Sequence, residues 1–267
     1  FGGGVAIGRL LRLDSQRGDY RRSWENHNLA TLERLRQLDE HPEGESPYLI
    51  VSLGDSSVQG MGASRVTESY PARLASAITQ QMDREVLLLN LSLSGATIES
   101  VELTQLPQMR GLGLLDGPYR PDLVTLTIGG NDVMAEDMAP GQFEERLRRI
   151  LAALPSGALV STIPSFGIMP QESRAQDMSD RIRAAVEDSD AHLVDLRSLT
   201  QEYSLPTYTF AYHAADFFHP NSAAYAKWAQ LFADAWAESR REPAPVVEDA
   251  PQWDMLSARV AQSEYDD

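Results

Sequence analysis

Five residues that could cooperate in acyl transfer stand far apart in this 267-residue chain: Ser56, Gly95, Asn131, Asp216 and His219. Ser56 closes Gly54-Asp55-Ser56, directly after the apolar run Leu49-Ile50-Val51-Ser52-Leu53. Gly-Asp-Ser is also ordinary turn composition, so the tripeptide alone decides nothing. Acyl transfer needs a nucleophile, a base, a group that orients the base, and donors for the oxyanion. The Ser56 hydroxyl can supply the first. A neutral imidazole titrates near working pH, and His219 can take the serine proton. Asp216 lies three residues before His219, close enough to bond the other ring nitrogen and stabilise the imidazolium. The backbone N–H groups of Ser56 and Gly95, with the Asn131 side-chain amide, would form the oxyanion hole. Gly95 carries no side chain to block a carbonyl approaching its N–H.

These residues need a scaffold that brings them to one place. Each of the first three follows an apolar run of strand length: 48–53 before Ser56, 85–92 before Gly95, and 121–128 before Asn131. Two further strands are expected at 158–162 and 192–196. Helices are expected at 21–39, from Tyr70-Pro71 onward, from Thr97 towards Pro107, and at 142–154, 172–187 and 221–239. Runs such as Val86-Leu87-Leu88-Leu89 are too apolar for a half-exposed strand and suit a parallel sheet covered on both faces. Strands alternating with helices give an α/β fold with right-handed crossovers. A flavodoxin-like five-stranded parallel sheet of order 2-1-3-4-5 puts the first and third strands side by side at the switch point, and Ser56 beside Asn131. Gly54 provides the sharp backbone turn at the strand end.

Composition narrows the chemistry. A net charge of −16 leaves no basic patch for phosphates, so no nucleic-acid partner is expected, nor polybasic docking on anionic membranes. Lys227 is the only lysine among the basic residues. With no cysteine, disulfides, zinc–thiolate sites and cysteine nucleophiles are excluded. No cofactor and no metal are expected, and no obligate protein partner. No apolar run is long enough to span a membrane. Phe1 to Gly8 reads either as the trailing end of a signal or anchor segment or as an arbitrary chain boundary. The former, which is favoured, would put the protein outside the cytoplasm, exported or membrane-anchored. Residues 1–45 form an N-terminal segment whose Leu29, Leu32, Leu35 and Leu38 mark an amphipathic helix lying on the main domain, 46–239. Residues 240–267 are acidic, interrupted by Pro243, Pro245 and Pro251, and are expected to be mobile and dispensable for chemistry.

Taken together, four blocks identify a family. Gly54-Asp55-Ser56, Asn90-Leu91-Ser92-Leu93-Ser94-Gly95, Gly129-Gly130-Asn131-Asp132 and Asp216-Phe217-Phe218-His219 resemble, in order, the signature blocks of the SGNH (GDSL-type) hydrolases. The resemblance spans about residues 48–235. It implies a metal-independent three-layer α/β/α fold with Ser56 as nucleophile, Gly95 and Asn131 as oxyanion donors, and Asp216 with His219 completing the triad. It also implies Ser56 rather than its neighbour Ser57, since the family's nucleophile directly follows Gly-Asp. The first block continues Ser-Val where leucine is usual, a departure many members share. No Gly-x-Ser-x-Gly elbow occurs, which argues against the ordinary α/β-hydrolase fold.

Other residues compete for these roles. His213 is a second base in the same loop, with a packing role favoured for it; His27, His41 and His192 have no partner motif and read as structural. Asn131 could merely cap a turn, while Asp55 and Asp132 are expected to hold loops. The loops after the strands, 58–68, 133–140, 164–170 and 199–218, are expected to wall the substrate. They carry Met61, Met134, Met138, Phe166, Ile168, Met169, Tyr203, Tyr208, Phe210, Tyr212, Phe217 and Phe218. The expected substrate is a small-molecule carboxylic ester of short to medium acyl chain, cleaved through an acyl-enzyme. A carbohydrate O-deacetylase, or a lipid or thioester hydrolase, would use the same triad. A non-enzymatic binding module on this fold would not need Asp216 and His219 in register with Ser56.

Overall fold

Strands that read as unbroken apolar runs require cover on both faces of their sheet, and that is the arrangement found. The computed structural model describes residues 2–41, 45–135, 137–202, 212, 214 and 218–256, with side chains from residue 15 onward. Five parallel strands, β1 (Tyr48–Gly54), β2 (Val86–Asn90), β3 (Leu123–Thr127), β4 (Leu159–Ser161) and β5 (His192–Val194), form one sheet of order β2-β1-β3-β4-β5. Alternate residues feed two cores. Leu49, Val51, Leu53, Leu87, Leu89, Val124 and Leu126 face α6 (Pro140–Ala153) and α7 (Glu172–Glu187). Tyr48, Ile50, Leu88, Leu123, Leu159 and Val194 face α2 (Tyr70–Thr79) and α9 (Ser222–Arg240). The expected sheet order and three-layer sandwich are therefore both present.

The register places the chemistry. Gly54 pairs with Thr127, so the residues that follow β1 and β3 leave the sheet side by side. Beyond β2, the chain passes through α3 (Ile98–Ser100), a π-helical turn (Val101–Gln105) and α4 (Leu106–Gly111). Short helices α5 (Gly130–Ala135) and α8 (Leu196–Gln201) lie where the sequence reads as loop. In α8 the turn is stabilised by Asp195, whose carboxylate accepts the Ser198 N–H.

The ends of the chain differ most from expectation. Helix α1 runs Gly2–Glu40, well before residue 21. Its buried face is Tyr20, Trp24, His27, Thr31 and Leu35, while Leu29 of the leucine series is 67% exposed. Spacing of three slips about 60° per step around a helix, so that series cannot stay on one face, whereas mixed steps of three and four can. Along β2's outer edge, Asn28 exchanges two hydrogen bonds with the Asn90 backbone and Thr31 donates to the Leu88 carbonyl, so α1 covers the sheet edge. The mobile tail expected from 240 onward is corrected over residues 243–256. Val247 and Met255 are buried, and Gln80, Gln81, Gln230 and Ser76 donate to the carbonyls of Asp249, Pro243, Pro245 and Pro251. Proline disfavours an α-helix there, but side chains on α2, just after it, and on α9 satisfy the backbone instead. Residues 257–267 lie outside the described residues. Among the described residues no helix is long and apolar enough to cross a membrane.

Candidate active site

At the end of β1 the backbone of Gly54 adopts φ +142°, and a Cβ there would stand 2.0 Å from the Thr127 carbonyl oxygen. Only glycine fits between the strands at this bend. The next residues form a tight turn in which the N–H groups of Val58 and Met61 donate to the carbonyls of Asp55 and Ser56. The buried Asp55 carboxylate accepts the Ser57 N–H (2.9 Å) and the Ser57 hydroxyl (2.7 Å). Burial pushes the Asp55 carboxyl above its ordinary range. Ser57 is thus committed to Asp55, whereas Ser56 Oγ lies 2.9 Å from His219 Nε2. The two serines have different partners, and only Ser56 faces the imidazole.

The second and third blocks converge on the same edge. Asn131, on α5, donates through Nδ2 to the Ala96 carbonyl at 2.8 Å. Its neighbour Asp132 is buried and accepts the Ile98 N–H at 3.1 Å with either oxygen. Burial raises that carboxyl to about 6. These two contacts tie the Gly95–Ile98 turn to α5, which agrees with the expectation that Asp132 holds a loop. Gly95 has φ +82° and open space within 4 Å of a Cβ position, so its backbone is approachable. The Asn131 Nδ2 carries two hydrogens, of which Ala96 takes one. Asp216 and His213 lie outside the described residues, as do Tyr203, Tyr208, Phe210 and Phe217 of the expected wall. Among the described residues no group of three His, Cys, Asp or Glu could hold a metal.

A cavity opens beside the pair. It is lined by Ser56, His219, Ile128, Pro164, Phe166, Met169, Tyr212, Phe218 and Trp228 among others. The 164–170 and 199–218 loops contribute as expected. Among the described residues the 58–68 and 133–140 loops do not: Met61 is buried in the core, and β3 and α9 supply that wall instead. Ile168 stands 81% exposed. The Phe218 ring packs edge-on against both His219 (5.1 Å) and Phe166 (6.1 Å).

Comparison with known proteins follows this geometry. The chain matches the GDSL-like lipase/acylhydrolase family over residues 52–227, more than half its length. The chain belongs to this family. Among solved structures, an alpha/beta hydrolase enzyme from the metagenome of Lake Arreo is 23% identical, with TM-score 0.56 over 73% of this chain and 97% of its own. The lipase/acylhydrolase from Enterococcus faecalis is 19% identical, with TM-score 0.58 over 72% of this chain and 96% of its own. An acetylxylan esterase from Geobacillus stearothermophilus is 17% identical, with TM-score 0.53 over 72% and 94%. At these identities the likeness is one of fold. No curated protein matches the chain.

Two supports of this GDSL-like hydrolase site escaped the sequence reading. Gln105, fully buried on the π-helical turn, accepts the Gly54 N–H at 2.9 Å and donates to the Gly54 carbonyl at 2.8 Å. Its amide stands in for a neighbouring strand where β2 has already ended. The legible signal was a glutamine on the apolar face Ile98, Val101, Gln105, Met109. The second is Glu172, which accepts the Phe166 N–H (2.6 Å) and the Ser165 hydroxyl (3.2 Å) while pairing with buried Arg197. It fixes the cavity wall, and nothing in its sequence context marks it.

Proposed function

We propose that this chain is a serine esterase cleaving carboxylic esters of short to medium acyl chain. The observation that carries the reading is the Ser56 Oγ–His219 Nε2 contact of 2.9 Å at the mouth of a largely apolar cavity. His219 takes the Ser56 proton as the oxygen attacks the ester carbonyl, and then protonates the leaving alcohol. Asp216 is assigned to the other ring nitrogen, holding the tautomer. The N–H groups of Ser56 and Gly95 and the free Asn131 amide hydrogen receive the developing oxyanion. Water then releases the acyl group by the reverse sequence of proton transfers. Phe166, Met169, Phe218 and Trp228 offer the acyl chain an apolar lining.

A second reading, deacetylation of a carbohydrate, would use the same Ser56–His219 pair and is suggested by the acetylxylan esterase that shares this fold. The test is a panel of p-nitrophenyl acetate, butyrate, hexanoate and octanoate with acetylated xylo-oligosaccharide alongside. Ser56→Ala abolishes hydrolysis of whichever member is preferred while the circular dichroism spectrum is unchanged. Turnover like that of the wild type in this variant refutes the assignment.

A further inference from the structure

Helix α1 lies wholly outside residues 52–227, the region matched to the family, yet it grips the loop between the two reacting residues. Tyr20 Oη (2.8 Å) and Gln16 Nε2 (3.0 Å) both donate to the Ala63 carbonyl, and Trp24 Nε1 donates to the Gln59 carbonyl at 3.0 Å. Tyr20, Trp24 and Ala63 are all buried. From the opposite side, Tyr225 on α9 donates to the Met61 carbonyl at 2.7 Å. Three carbonyls of one short loop, at 59, 61 and 63, are thus pinned by aromatic donors, two of them from α1.

Both catalytic candidates touch this loop. The Met61 N–H donates to the Ser56 carbonyl at 3.0 Å. At the loop's apex Gly62 has φ +91°, and a Cβ there would stand 3.1 Å from His219 Cβ and 2.4 Å from the Pro220 carbonyl. The loop is therefore a wedge with α1 behind it and the His219 turn in front, without slack for even a methyl group. We infer that α1 is a working part of the active site, with Gln16, Tyr20 and Trp24 as positioning residues that hold the 59–63 wedge and so keep His219 in register with Ser56. The inference rests on the reading of Ser56 and His219 as the reacting pair.

The test uses the full chain carrying Tyr20→Phe with Gln16→Ala, which removes both bonds to Ala63 and keeps the ring. Three quantities are read at a temperature where the chain is folded: kcat and KM on the preferred ester, the rate at which a fluorophosphonate labels Ser56, and amide hydrogen exchange across 59–63. A core truncation at the far end of the same helix, Leu35→Ala, serves as the control for lost stability alone. Exchange across 59–63 rises, kcat and the labelling rate fall together by about tenfold or more, and KM changes by less than about twofold. Leu35→Ala lowers Tm and leaves kcat and labelling within about twofold of the wild type. If the double variant does not fold, Tyr20→Phe alone is judged by the same criteria. Labelling unchanged in the double variant, or a loss matched by Leu35→Ala, overturns the inference while leaving the esterase reading in place. A wild type that labels at Ser56 but hydrolyses no ester overturns the substrate reading alone, and the labelling rates then decide the role of α1. A wild type that does not label at Ser56 overturns both.

Discussion

Replacing Gln105 tests whether the nucleophile turn is held by a borrowed strand partner. Gln105→Leu keeps the volume and apolar packing but removes both bonds to Gly54. The Gly54 carbonyl retains the Leu93 N–H at 3.0 Å, whereas its own N–H is left buried and unpaired. An orphaned buried N–H costs about 1–3 kcal/mol and the lost second bond about 1 kcal/mol, so the loss of stability is about 2–4 kcal/mol. Gln105→Glu separates the two halves of the clamp. A neutral carboxyl can accept from the Gly54 N–H and donate to its carbonyl, but a carboxylate can only accept, and it sets an anionic oxygen against that carbonyl. Burial raises the introduced carboxyl's pKa above its unfolded value, so its stabilising form is complete below the unfolded pKa and is lost as pH rises through the folded one. Urea unfolding of the leucine variant at neutral pH, and of the glutamate variant at acid and neutral pH, gives both numbers, with the slope m checked for constancy. Because Gly54 leads directly into Asp55 and Ser56, ester hydrolysis by the leucine variant falls more than its folded fraction does. Stability within about 0.5 kcal/mol of the wild type, together with unchanged hydrolysis, refutes the clamp.

Gly54→Ala, whose Cβ would meet the Thr127 carbonyl at 2.0 Å, prevents stable folding, whereas Gly95→Ala, with open space around it, folds at a cost of about 1–2 kcal/mol; thermal melts of the two compare them directly. Asn131→Ala lowers kcat by about 10²–10³ if its amide serves the oxyanion, and a fall of less than about threefold assigns it to the turn alone. Burial holds the His27 imidazole down at about 4, below its ordinary 6.5. That burial contributes stability in full above pH 6.5 and loses it as pH falls towards 4, about 3 kcal/mol in all, and His27→Gln flattens this part of the urea-midpoint profile.

Much of the scaffold of the candidate site was legible because it depends on local chemistry. Continuous apolar strands require two covered faces, which demands a parallel sheet, and a parallel sheet sends every strand's C-terminal end to one edge. That brings Ser56, Gly95 and Asn131 to one edge, whereas the pairing of β1 with β3 needed the flavodoxin-like strand order as well. What the sequence could not determine is which side chains complete these backbones across long separations. Gln105 reads as a misplaced polar residue until the π-helical turn aims it at Gly54. Nothing in the sequence marks Tyr20 and Trp24 until the fold sets them behind the 59–63 loop. The leucine series misassigned the buried face of α1 because periodicity describes a helix and says nothing of what lies opposite it. The prolines after Arg240 showed where helix ends, but only α2 and α9 decided that Val247 and Met255 would be buried. Local propensity is set by each residue and its near neighbours; the partners of a buried donor or acceptor are set by the close packing of elements that meet only in the folded chain.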